Sequence, residues 1–167
     1  MPERVAVVGS RQGADLEQVE RFVRALYLRQ PSSLLISGGA AGVDKLAEQT
    51  WLSLGGRVQS FRPKLLAGPL PSAGGEGLSS VPATGETRYG VEVWNLGDMQ
   101  PSVGVLGEPH PTFADYRSAA LYRNMLIAEK ADRVVAFYRR NRSAGAAHTI
   151  DAARSERKPF YEYEAAA

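Results

Sequence analysis

The chain has 167 residues, a formal net charge of +2 and an apolar content of 44%, which suits one globular domain with its own core. Cysteine is absent and the only histidines are His110 and His148, which excludes disulfides and thiolate metal sites and argues against a histidine-based zinc site. No apolar run approaches the roughly 18 residues of a membrane span, and the N-terminus enters a strand-like run without a signal-peptide layout, so the expectation is a cytoplasmic protein with no membrane partner and no metal.

In chain order, Val5 to Val8 reads as a strand buried on both faces, broken by Gly9-Ser10-Arg11. The apolar stripe Leu16, Val19, Phe22, Val23 and Leu26 predicts a helix from about Ala14 to Arg29. Leu34-Leu35-Ile36 is a second short strand, broken by Ser37-Gly38-Gly39. A second helix is expected from about Val43 to Leu54, closed by Gly55-Gly56. Arg57 to Phe61 is a third strand.

Residues 62–112 then hold seven of the ten prolines and nine of the seventeen glycines. A stretch of this kind is too long for an ordinary connection and reads as a functional loop or a disordered insert. Thr87 to Trp94 and Val103 to Leu106 are rich in strand formers and suggest a small hairpin inside it. Regular pattern returns with a helix from about Phe113 to Lys130. A fourth strand spans Arg133 to Tyr138, a helix runs from about Ala146 to Glu156, and a fifth strand covers Lys158 to Tyr163. The fold class is α/β: one Rossmann-like, three-layer domain over residues 1–167. Its sheet is mostly parallel, with five strands or slightly more, and the irregular insert 62–112 follows the third strand.

Ligands of such sheets sit beyond the carboxyl ends of the strands, where strand order reverses. Three segments fall there. Gly38-Gly39-Ala40-Ala41-Gly42 leads into a helix N-terminus, a natural phosphate site. Asp44 follows, either as a helix cap or as an acceptor for a ribose or base. The loop has neither the G-x-G-x-x-G spacing nor a Walker lysine, which disfavours ordinary NAD enzymes and P-loop NTPases. Gly9-Ser10-Arg11 offers a turn, a hydroxyl and a guanidinium that either grips a phosphate or faces solvent. Ser143 to Thr149 supplies Gly145 and small neighbours for close approach, with His148 either a general base or a surface or capping residue. Arg123-Asn124, in an otherwise apolar helix, either enters the cleft or faces water. Basic residues crowd the C-terminal third, from Arg117 to Lys158. That crowding is either a solvated face or a nucleic-acid surface, on which Tyr89 and Trp94 would stack bases.

Several strings occur in one order: Val7 to Arg11, Ile36 to Ala47 (ISGGAAGVDKLA), Tyr122 to Leu126, Ala131 to Phe137 and Gly145 to Ala153. In this the chain resembles the SLOG superfamily, which joins the DNA-processing protein A (Smf) family, the LOG ("lonely guy") phosphoribohydrolases and small YspA-like stand-alone proteins. The resemblance covers about residues 4–61 and 114–163 and leaves out the insert. It implies a Rossmann-like fold that binds nucleotides, nucleotide derivatives or single-stranded DNA. It also implies a ligand-binding set of Gly9, Ser10, Arg11, Gly38, Gly39, Ala40, Gly42, Asp44, Arg123, Asn124 and Gly145.

Two departures bear on activity. LOG enzymes carry a "PGGxGTxxE" loop, and here its threonine reads Ala146 and its glutamate Thr149, while their "RK" pair reads Arg123-Asn124. A second register puts Asp151 at the glutamate. The expectation is therefore binding of a nucleotide-type phosphate ligand without catalysis and without a resident cofactor. The alternatives are single-stranded DNA or RNA binding, and a LOG-like phosphoribohydrolase with Arg123, Asp151 and Asp44 as catalytic candidates. The chain shows none of the winged-helix or helical domains often attached to DNA-processing proteins, which points to the stand-alone members. The resemblance also implies a homodimer or larger assembly.

Overall fold

The computed structural model describes residues 2–68, 86–141 and 144–166. Its strands are β1 (Arg4–Gly9), β2 (Leu34–Ser37), β3 (Arg57–Ala67), β4 (Arg88–Leu96), β5 (Ser102–Val105), β6 (Arg133–Tyr138) and β7 (Phe160–Glu164). Its helices are α1 (Leu16–Arg29), α2 (Val43–Ser53), α3 (Tyr116–Lys130) and α4 (Ala144–Ser155). One seven-stranded sheet runs in the order β5-β4-β3-β2-β1-β6-β7. The strands from β3 to β7 in that order pair in parallel, and β4 and β5 add an antiparallel extension beyond β3.

Strand alternation builds two cores. Val5 and Val7 of β1 face one side, with Val19, Val23 and Leu26 of α1 and Val43, Ala47 and Trp51 of α2. Ala6 and Val8 face the other, with Leu126 and Ile127 of α3 and Ile150 and Ala153 of α4. The result is the expected three-layer α/β domain. Because β1 leads to β2 on one side and borders β6 on the other, strand order reverses at β1/β6.

The sequence reading of the region after Phe61 needs correction. The third strand does not stop at Phe61 but continues to Ala67, paired with β4 apart from an irregularity at Leu66. Pro63 sits in this stretch. Past Ser60, β2 no longer pairs with β3, and a strand bordered on one side only tolerates proline. The expected hairpin exists as β4 and β5 and widens the main sheet, so this part of residues 62–112 is ordered; residues 69–85 lie outside the described set. The third helix begins at Tyr116, not Phe113. Asp115 caps it by accepting from Ser118 N at 2.7 Å, while Phe113 exchanges backbone hydrogen bonds with Tyr89 at 2.6 and 2.7 Å.

The crowd of C-terminal basic residues also separates into parts. Arg133 pairs with Glu3 at 3.1 Å. Arg154 lies over the Phe160 ring, 5.0 Å from its centroid. Lys158 reaches back from the start of β7 and donates to the carbonyls of Ala128, Glu129 and Ala131, a cation closing the C-terminal end of α3 where the helix dipole is negative. Lys158→Ala should lower stability by about 1–2 kcal/mol, the upper range for a partly buried cation at a helix terminus, with the loss read as a reduced urea midpoint.

Candidate functional site

A cleft of about 950 Å³ opens at the β1/β6 reversal. Its floor and first wall are Val8 to Gln12 at the end of β1, with Ala40 and Asp44 beside them. Tyr116, Arg117, Ala120, Leu121, Arg123 and Asn124 of α3 form the second wall. Arg139, at the end of β6, and Gly145 to Thr149 of α4 form the third. The start of α4 therefore lies along the cleft, and the leading N–H groups of any helix have no partner within the helix. Arg11, Arg117 and Arg139 are exposed at the rim.

Asp44 is the most constrained residue here. It does not cap its own helix, whose N-cap is Gly42. Its carboxylate accepts from Gly9 N and Gly38 N, both at 3.1 Å, and so ties the loops after β1 and β2 together. Burial raises its pKa from 3.8 to about 6, against the opposing pull of the Arg123 charge and of the two amides, while buried Glu48, one helical turn on, raises it further.

Arg123 is 7% exposed. It donates to Gly38 O, to Phe61 O at 3.4 Å and to Asn124 Oδ1 at 2.9 Å. Desolvation lowers its pKa and the Asp44 charge raises it. Asn124 in turn donates to Gly145 O at 3.3 Å and lies 3.4 Å from His148 Nδ1. A parallel arrangement stands on the α2 side. Arg62 bonds buried Glu48 at 2.9 Å and lies over the Trp94 ring, 4.3 Å from its centroid.

No family model and no curated protein matches the chain, but solved structures do. DNA processing protein A from Streptococcus pneumoniae matches at a TM-score of 0.61 and 21% identity, over 96% of this chain and 50% of that one. DNA processing protein A from Helicobacter pylori, described for its single-stranded DNA binding mode, matches at 0.57 and 16%, over 96% and 65%. The chain shares the fold of these proteins. It spans half to about two thirds of those two proteins. The molybdenum cofactor binding protein of the phototrophic bacterium Rippkaea orientalis matches at 0.56 and 17%, over 99% of this chain and 78% of that one.

Of the residues singled out in the sequence, the cleft brings together Gly9, Ser10, Arg11, Ala40, Asp44, Arg123, Asn124, Gly145, His148 and Asp151. Gly38, Gly39 and Gly42 are not among its lining residues. Gly42 has a φ of +83°, and a β-carbon there would run into the Ser10 and Arg11 carbonyls. Gly39 has a φ of +66° and would meet Arg62. The glycine loop thus admits other protein groups. Ser10 Oγ accepts from Arg139 N at 2.8 Å. Asp151 is exposed and 3.6 Å from Arg154. Thr149 is buried, with Oγ1 3.5 Å from Gly145 O. Tyr89 packs edge-on against Tyr116, and Trp94 holds Arg62.

Sequence reading missed Tyr116, Arg117 and Arg139 as cleft residues. Arg139 sits at the carboxyl end of β6 as Arg11 does at that of β1, so position alone could have found it. Tyr116 and Arg117 were hidden by the early helix start.

Because the folded pKa of Asp44 is raised, its protonated form favours folding. That contribution is complete below about pH 4 and is lost as pH rises through about 6. Asp44→Asn removes this dependence. In urea titrations from pH 4 to 7, the wild type should lose up to about 3 kcal/mol relative to the variant.

Proposed function

We propose that the cleft holds a phosphate-bearing, nucleotide-type ligand and binds it without cleaving it. The observation that carries this reading is the convergence of the first turn of α4 with three exposed arginines, Arg11, Arg117 and Arg139, at the strand-order reversal. Helix N-terminal amides favour an anion, and guanidinium groups match phosphate oxygens in pairs. Among the same cleft residues, Val8, Ala120, Leu121 and the half-exposed Tyr116 ring supply apolar surface suited to a base. On this reading the phosphate goes to α4, because the amides of Gly9 and Gly38 already serve Asp44.

Binding without cleavage rests on the carboxylates. LOG-type chemistry wants a glutamate where this chain has buried Thr149. Asp44 gives both oxygens to backbone amides, and Asp151 stands at the rim beside Arg154. Neither is set up like a free carboxylate facing a sugar.

Thermal melting against a panel of nucleoside mono-, di- and triphosphates tests the reading. A ligand at a hundred times its Kd should stabilise by about 2.7 kcal/mol, and Arg11→Ala with Arg139→Ala should abolish the shift. Both side chains are exposed, so the pair of changes should spare the fold. No shift with any phosphate ligand counts against the proposal. Arg123→Ala is a poor probe here, since it strips Asp44 of its compensating charge.

A second reading is single-stranded nucleic acid. It is favoured by the same exposed arginines and by the likeness to DNA-processing proteins, one of them described for single-stranded DNA binding. An electrophoretic shift assay with a short oligonucleotide should show retardation that falls steeply between low and moderate salt. Free migration at low salt removes this reading.

A further inference from the structure

We propose that Asn124 holds the His148 ring in a single neutral tautomer, with its proton on Nε2, and so makes His148 a hydrogen-bond donor to an acceptor oxygen in the cleft. The identity of that acceptor rests on the nucleotide reading above; the tautomer does not.

The polarity starts at Arg123. A guanidinium has donors and no acceptor. Its Nε lies 2.9 Å from one end of the Asn124 amide, and only the oxygen end can face it. The NH2 end therefore points the other way, 3.3 Å from Gly145 O and 3.4 Å from His148 Nδ1. Gly145 O is a carbonyl and only accepts, which demands the same orientation. Guanidinium and carbonyl are groups that cannot reverse, so the amide between them cannot flip without opposing like groups at both ends. Nδ1 of His148 then meets an N–H and presents its lone pair. In a neutral imidazole the proton is then on Nε2.

His148 is half-buried and lines the cleft in the first turns of α4, beside Gly145, Ala146 and Ala147. With Nδ1 turned to Asn124, Nε2 is the nitrogen left for a ligand, and no partner for it occurs among the described residues. Nε2–H thus adds one directed donor to the amides of the helix start. The matching chemistry is an oxygen acceptor, either a phosphate oxygen or a base carbonyl. A neutral ring in this state has no lone pair on Nε2, so it does not serve as the general base considered for His148 from sequence. Asn124 is a positioning residue acting through His148.

Long-range 1H–15N correlation spectra of the imidazoles in the ligand-free protein test this. The chain has two histidines, and His148→Gln identifies the His148 signals by their loss. The wild type should show Nε2 protonated and Nδ1 with a free lone pair at neutral pH. In Asn124→Asp, a carboxylate replaces the NH2 end and Nδ1 should acquire a proton. A wild-type spectrum with Nδ1 protonated, or with the proton shared between both nitrogens, overturns the proposal whether or not the variant folds.

Calorimetric titrations with adenosine monophosphate, inorganic phosphate and adenosine then read the contact. His148→Ala should weaken monophosphate binding about tenfold, the worth of one donor to a charged acceptor. A matching loss with inorganic phosphate assigns the acceptor to the phosphate, and one with adenosine assigns it to the base. Unchanged monophosphate affinity overturns the contact. A wild type with the Nε2 tautomer that binds none of the three probes supports the relay and overturns the nucleotide reading.

Discussion

The Asp44 carboxylate sits at the carboxyl edge of the sheet, between the two helical layers. It rises from the first turn of α2, on one face of the sheet, and binds the amides that follow β1 and β2. Arg123 comes from α3, on the opposite face, and grips the carbonyl of the same Gly38 whose amide Asp44 holds. One peptide segment at the carboxyl edge of the sheet is thus clamped by an acid from one helical layer and a base from the other. Burial works against both charges, as the directions of their pKa shifts show. Each charge eases the cost of burying the other across the shared Gly38 peptide. The relative placement of α2, α3 and the first two loops depends on this clamp.

That constraint changes what the glycine-rich loop means. Read alone, Gly38 to Gly42 looks like a cradle for a ligand. In the folded chain its close approaches are internal: Gly38 to Asp44 and Arg123, Gly39 to Arg62, and Gly42 to the backbone after β1. Buried polar groups must be satisfied, and here protein groups satisfy them. On the proposed reading, the anion contact falls instead to the start of α4 and to the arginines around the cleft.

The parallel frame was legible because its cause is local. Val5 to Val8, Leu35-Ile36 and Val134 to Phe137 are apolar without alternation, as strands buried on both faces must be. The long insert was partly illegible for the opposite reason. Pro63, Gly90 and Gly104 lower strand propensity, and the pairing that rescues β3 past Phe61 comes from β4, a partner that composition cannot assign a register. At the site, Asp44 and Arg123 stood out by position, but their mutual use did not. A carboxylate near a glycine loop reads equally as a cap, a ribose acceptor or an internal clamp, and only the positions of Gly9 N and Gly38 N decide between them. Glu48 and Arg62 escaped notice because their bond joins α2 to a part of β3 that the sequence assigned to the insert.

The division between clamp and rim has a consequence for how this site can vary. Arg123 and Asn124 spend their hydrogen bonds on Gly38, Phe61, Gly145 and one another, so they set the shape of the cleft more than its preferences. On the proposed reading, the groups left to discriminate among ligands are Arg11, Arg117, Arg139, Tyr116 and His148, which stand on loops or near helix starts and are at least partly exposed. Exposed positions of this kind change with little cost to folding, whereas the clamp residues do not. On that reading, stability and selectivity sit on separate side chains of one cleft. If the proposed reading holds, a scaffold of this design would take up different phosphate-bearing ligands by exchanging rim residues while Asp44 and Arg123 stay as they are.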